Sequence, residues 1–134
     1  MDFRNFEFFL VKYVPDPIRG EFINIGVILQ EVGGTEGAIV RFTRNWSRVL
    51  CLDPDADTEM LEELGEDINT EFARGGKPAI ALIEGFRQQL SNSIQISEPK
   101  ASLAENPEGE IQQLMRMYVE PYGTADCAED EITL

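Results

Sequence analysis

Histidine is missing altogether from the 134 residues of this chain. Its absence removes Ser-His and Cys-His nucleophilic catalysis and all imidazole metal ligation. Any acid–base chemistry would then fall to carboxylates, lysine, tyrosine or cysteine. Cysteine is nearly as scarce, with Cys51 and Cys127 far apart and neither in a CxxC or CxxH pattern. That argues against a zinc site or a redox dithiol, and two cysteines are too few for a disulfide-stapled secreted fold. Cys51 is expected as a small core residue and Cys127 in a tail. Glycine pairs occur at Gly33-Gly34 and Gly75-Gly76, but neither leads into the GK[ST] of a phosphate loop, and GxGxxG is absent. No cofactor is expected. The apolar runs are too short to span a bilayer. The start, MDFRNFEFFLVKYV, has no basic region followed by an apolar stretch and a small-residue cleavage site. These features lead to an expectation of a cytoplasmic protein with no membrane partner.

Positive charge is also in short supply: 11 Lys and Arg stand against 25 Asp and Glu, a net charge of −14. The imbalance is uneven. Residues 1–52 carry six bases and six acids, while residues 53–134 carry five bases and nineteen acids, hence the whole excess. Phosphate backbones and anionic lipid surfaces attract clustered bases, so general nucleic-acid binding is not expected. The acidic part reads first as a solvated face, with a basic protein partner as the next reading.

A chain of this length fits one domain with its own core. Segment 6–14 (FEFFLVKYV) is apolar on both faces, Phe6, Phe8 and Leu10 on one and Phe9, Val11 and Tyr13 on the other, as for a central strand covered on both sides. Segment 22–31 alternates, with Ile23, Ile25, Val27 and Leu29 expected on one face. An ordered turn, PDPIRGE, joins the two, and AIVRFT at 38–43 completes a three-stranded antiparallel meander. Helical spacing then takes over from about residue 57 to 73 through Met60, Leu61, Leu64, Ile68 and Phe72, with Asp57 as N-cap. A second helix from Pro78 directs Ile80, Ile83, Phe86 and Leu90 inward. Ser93–Ser97 reads as a short strand, and Asn106-Pro107 starts a last helix whose buried stripe is Ile111, Leu114, Met115 and Tyr118. Strands first and helices later give an α+β class, βββααβα, with helices packed on the sheet. The domain is expected over residues 1–119, and 120–134 as an acidic flexible tail holding five acids and no base.

Three polar groups invite a chemical reading. Asp53, Asp55 and Asp57 resemble the start of a calcium loop, but the glycine and glutamate the loop needs are Thr58 and Leu64 here. No metal is expected, and the acids suit a helix N-terminus. Around the first turn, Asp16, Arg19, Glu21 and Asn24 form a polar cluster in which the Arg19 fork could clamp a carboxylate or phosphate. The local alternative is that Arg19 pairs with Asp16 or Glu21 and pins the hairpin. The third group is Arg41, Arg44, Trp46 and Arg48, residue types enriched at binding hot spots. Its plain alternative is a strand end with Trp46 packed under the sheet. Should both clusters meet at one end of the sheet, an acidic protein would carry a basic notch.

The block YVPDPIRGEFINIGVIL (13–29), followed by NSIQISEPKASLAENPEGEI (92–111), resembles the bacterial "domain of unknown function 3037" family. The first block matches through Tyr13, Val14, Pro15, Asp16, Arg19, Gly20, Glu21, Asn24, Gly26, Val27 and Leu29, and the late block through Asn92, Pro99, Pro107 and Glu110. Lys12 and Asn106 stand where arginine and aspartate are expected, and both keep the physical role. The resemblance brings no catalytic residues to carry over. It implies a non-catalytic interaction or regulatory module, with a HipA-like kinase as the candidate partner because genes of the two kinds often adjoin. Self-association is compatible with it. The main alternative is an enzyme that binds a small anion or nucleotide through Arg19, Glu21 and Asn24, with Arg44 and Arg48 assisting. A further one is an acidic mimic of nucleic acid.

Overall fold

The apolar run near the N-terminus becomes the middle strand of an antiparallel sheet. The computed structural model describes residues 3–16, 18–34, 37–87 and 93–120. In chain order these form β1 (Arg4–Asp16), β2 (Glu21–Glu31), β3 (Ile39–Phe42), α1 (Ser47–Leu52), α2 (Thr58–Ala73), α3 (Ala79–Arg87), β4 (Ile94–Ile96), β5 (Lys100–Ala104) and α4 (Pro107–Leu114). A π-helical turn, Met115–Val119, continues α4. The class is α+β, as the sequence implied. The five-stranded sheet runs β3-β2-β1-β4, and β5 also pairs with β1. The chain stretch from β4 to β5 follows one edge of β1, meeting Val11–Tyr13 first and Arg4–Phe8 second.

Each face of β1 feeds a separate core, which is why both faces are apolar. Phe9, Val11 and Tyr13 join Ile25, Ile28, Leu61, Ile68, Phe72 and Ile83 on the side covered by α2 and α3. Phe6, Phe8 and Leu10 join Val27, Leu29, Ile111, Leu114 and Val119 on the side covered by α4. The regular alternation expected of β2 fails at one point. Lys12 pairs with Asn24 and Val11 with Gly26, so Ile25 is the extra residue of a β-bulge. The bulge turns Ile23 and Ile25 toward α2, while Val27 and Leu29 face α4.

Both expected caps form. Asp57 accepts from Met60 N at 3.1 Å, and Asn106 accepts from Glu108 N at 2.9 Å with Pro107 opening α4. Several burial expectations are corrected: Met60 and Ile80 are largely exposed because each lies off the stripe that meets the sheet. Cys51, expected in the core, is exposed on α1 and disulfide-bonded. Leu90, Asn92, Cys127 and residues 121–134 of the expected tail lie outside the described residues. No helix among the described residues is long and apolar enough to cross a membrane.

One buried polar contact ties the sheet to the α1–α2 connection. Tyr13 donates its hydroxyl to Asp53 Oδ2 at 2.6 Å, and Asp53 Oδ1 accepts from Asp55 N. Burial first, then the hydrogen bond to Asp53 and its charge, push the Tyr13 phenol up from 10.0 to about 12. Because the folded value lies above the unfolded one, the neutral phenol favours the fold fully below pH 10.0, and this contribution is lost as pH rises through about 12. Titration followed by tyrosinate absorbance should find one phenol ionising about two pH units above ordinary tyrosine, and Tyr13→Phe should delete that late step.

Candidate functional site

The hairpin turn between β1 and β2 holds itself together. Asp16 Oδ1 accepts from Ile18 N at 3.0 Å, and the Asp16 carbonyl accepts from Arg19 N at 3.2 Å. Gly20 supplies the positive φ of 75° that the turn requires. Arg19 and Glu21 form an ion pair at 2.5 Å, with side chains 70% and 42% exposed. An exposed pair of this kind contributes about 0.2–1 kcal/mol, enough to favour one turn geometry. Both groups thus engage each other locally.

Asn24 lies farther along β2 and faces the opposite way, into the α4 side of the sheet. Its amide donates to the Tyr118 carbonyl at 3.1 Å, while its Oδ1 is buried without a hydrogen bond. Two members of the second cluster's segment reach the same place. Arg48, on α1, donates to the Val119 carbonyl at 3.2 Å, and Thr43 donates to the Glu120 carboxylate at 2.8 Å. These contacts follow from the topology, since Phe42 pairs with Gly26 and Thr43 N bonds to the Ile25 carbonyl at 2.8 Å. The end of β3 therefore sits beside the start of β2. A helix end leaves carbonyls unpaired, and donors or cations there are favourable. Asn24 and Arg48 do that for consecutive carbonyls. The two sequence clusters meet at one end of the sheet through Asn24 and Arg48, at the end of the π-helical turn.

Trp46 is buried at 8% exposure in the α2-side core and donates its indole N–H to Glu62 at 2.9 Å. Arg41 extends from the other face of β3 to Glu108 at 3.0 Å. Arg44 is exposed and has no partner among the described residues. Arg116, which sequence reasoning passed over, is in the same condition on the π-helical turn. Arg41, Phe42, Arg44, Met115, Arg116 and Glu120 line one cleft of about 690 Å³ between β3 and the α4 side. A second cleft of about 560 Å³ shares Arg41, Phe42 and Arg44 and opens toward Glu62, Gly65, Glu66 and Asn69 of α2. A cleft bearing three arginines thus forms at the end of β3 from Arg41, Arg44 and Arg116, without any residue of the Asp16, Arg19, Glu21 and Asn24 cluster. Arg116 is the last base in the chain, and that isolation in an acidic stretch was the one available signal.

Two of the three acids that resembled a calcium loop have other work. Asp53 holds Tyr13, Asp57 caps α2, and Asp55 presents its backbone N–H to Asp53.

A family model described as "Protein of unknown function (DUF3037)" matches residues 8–119. No curated protein and no solved structure matches the chain.

Proposed function

The chain belongs to the DUF3037 family, and we propose that it is a non-catalytic interaction module that receives an acidic segment of another protein in the cleft beside β3. One observation carries the reading. On a chain of net charge −14, Arg44 and Arg116 line a single cleft with Arg41 and have no partner among the described residues. Exposed guanidinium groups around a cleft draw carboxylates by long-range attraction and by forked hydrogen bonds. Elsewhere the candidate residues are engaged within the fold: Arg19 with Glu21, Asn24 and Arg48 with helix-end carbonyls, Trp46 with Glu62. That distribution favours the β3 cleft over the hairpin turn as the contact surface.

The partner we name first is a HipA-like kinase of the bacterial host, with regulation of that kinase as the consequence of binding. The double variant Arg44→Glu/Arg116→Glu should keep the wild-type unfolding temperature within a few degrees, since both side chains are exposed. In a low-salt pull-down it should recover at least roughly tenfold less of the kinase than wild type. Equal recovery by the two proteins would overturn the reading. A small oxyanion in the same cleft is the second reading, favoured by the same pair of arginines. Thermal shift with inorganic phosphate and nucleotides separates it, because a ligand of the folded state raises the unfolding temperature.

A cytoplasmic setting belongs to this proposal.

A further inference from the structure

Resting on the reading above, we propose that the acidic segment binds as an added antiparallel β-strand on the outer edge of β3. β3 ends the sheet order, with β2 as its only strand partner among the described residues. The pairing fixes which backbone groups are used. Thr43 N bonds to the Ile25 carbonyl, so in an antiparallel ladder Thr43, Arg41 and Ile39 direct their N–H and C=O toward β2. Val40 and Phe42 then direct theirs outward. Ala38 is in the same outward phase, and its N–H is taken by the Phe72 carbonyl at 3.0 Å, where the end of α2 closes that part of the edge. Past Ala38, no hydrogen bond from the described residues reaches the outward groups of Val40 or Phe42.

The two clefts lie on either side of β3 and share Arg41, Phe42 and Arg44. Side chains of an added strand alternate between the two faces, so each cleft would take every second residue. The charges of the clefts differ. To the shared Arg41 and Arg44 the α4 side adds Arg116 and Glu120, whereas the α2 side adds Glu62 and Glu66, which leaves the α4 side the more basic of the two. The segment that fits is therefore extended, with acidic residues at every second position and basic or neutral polar residues between them. Val40 and Phe42 belong to the α2-side core. In an antiparallel register, the added residues whose backbone bonds to them carry side chains on that same side. These are the basic positions of the partner.

The test uses the full chain, isotopically labelled, and a capped seven-residue peptide alternating Glu and Lys. Controls are the same composition arranged in blocks, and two alternating peptides N-methylated either at every Lys or at every Glu. The alternating peptide should bind and slow solvent exchange of the Val40 and Phe42 amides at least tenfold, with the block peptide binding at least tenfold more weakly. N-methylation at Lys should weaken binding at least tenfold, and N-methylation at Glu should change it less than twofold. Equal binding of both methylated peptides, unchanged exchange at Val40 and Phe42, or no binding of the alternating peptide at millimolar concentration overturns strand addition. The arginine reading is judged separately. If Arg44→Glu/Arg116→Glu abolishes peptide binding while the methylated peptides behave alike, the cleft stands and the strand falls. If the variant binds normally with the edge amides protected, the strand stands and the role of the arginines falls.

Discussion

Phe9→Ala should destabilise the fold by about 3–5 kcal/mol in denaturant unfolding, the range for deleting a large aromatic side chain from a packed core. Phe9 is fully buried in the central strand, between β2 and the edge formed by β4 and β5, and under the helices of the α2 side. Every strand pairing that involves β1 depends on a well-filled core on both of its faces. The void would be bounded by a sheet that cannot close around it without losing register, so relaxation recovers little. Total stability for a domain of this size is roughly 5–15 kcal/mol, so the variant would approach the edge of folding at 37 °C. Phe22→Ala is the contrasting case. Phe22 is 48% exposed, with the Lys12 ammonium 4.4 Å from its ring centroid, and its loss should cost under about 1 kcal/mol. A Phe9→Ala cost below about 1 kcal/mol would mean that the two cores are not separately packed on β1.

How much of this was legible in the sequence differs element by element, for physical reasons. β1 was legible because a strand with two covered faces must be apolar at both parities. The faces of β2 were not fully legible, because a single extra residue at Ile25 exchanges them and nothing in the local residue types announces a bulge. β5 escaped because Lys100–Ala104 contains alanine, serine and lysine and follows Pro99, all weak strand signals. It forms because the exposed edge of β1 needs hydrogen-bond partners. α1 escaped because six residues with only Val49 buried carry no readable period. At the site, the turn's own ion pair could be anticipated from Arg19 and Glu21, two residues apart. The convergence of Asn24, Arg48, Thr43 and the segment 118–120 could not be, since those contacts span 71 to 94 residues of sequence.

Gly65→Val should destabilise the protein by about 2–3 kcal/mol, and the cause lies in how Phe42 is held. A Cβ at Gly65 would stand 3.0 Å from the Phe42 Cγ and 3.2 Å from its Cδ1. On another side of the same ring, a Cβ at Gly26 would stand 3.0 Å from Phe42 Cδ1 and 3.0 Å from the Arg41 carbonyl oxygen. Phe42 is thus wedged between two glycines, one on β2 and one on α2, and has little room to retreat. Replacing glycine within a helix gains a few tenths of a kcal/mol to about 1 kcal/mol of intrinsic propensity, which the steric cost exceeds. The two effects can be separated by a double-mutant cycle with Phe42→Ala. Alone, Phe42→Ala should cost about 2–4 kcal/mol, less than a fully buried phenylalanine. Combined with Gly65→Val it should cost at least about 1 kcal/mol less than the sum, since the new methyl groups enter the space the ring leaves. Additivity within about 0.5 kcal/mol would show that Gly65 and Phe42 are not in steric opposition. The cycle also bears on the clefts, because Phe42 lines both of them together with Arg41 and Arg44. A Gly65→Val protein that folds but displaces β3 from α2 should lose peptide binding even though all three arginines remain.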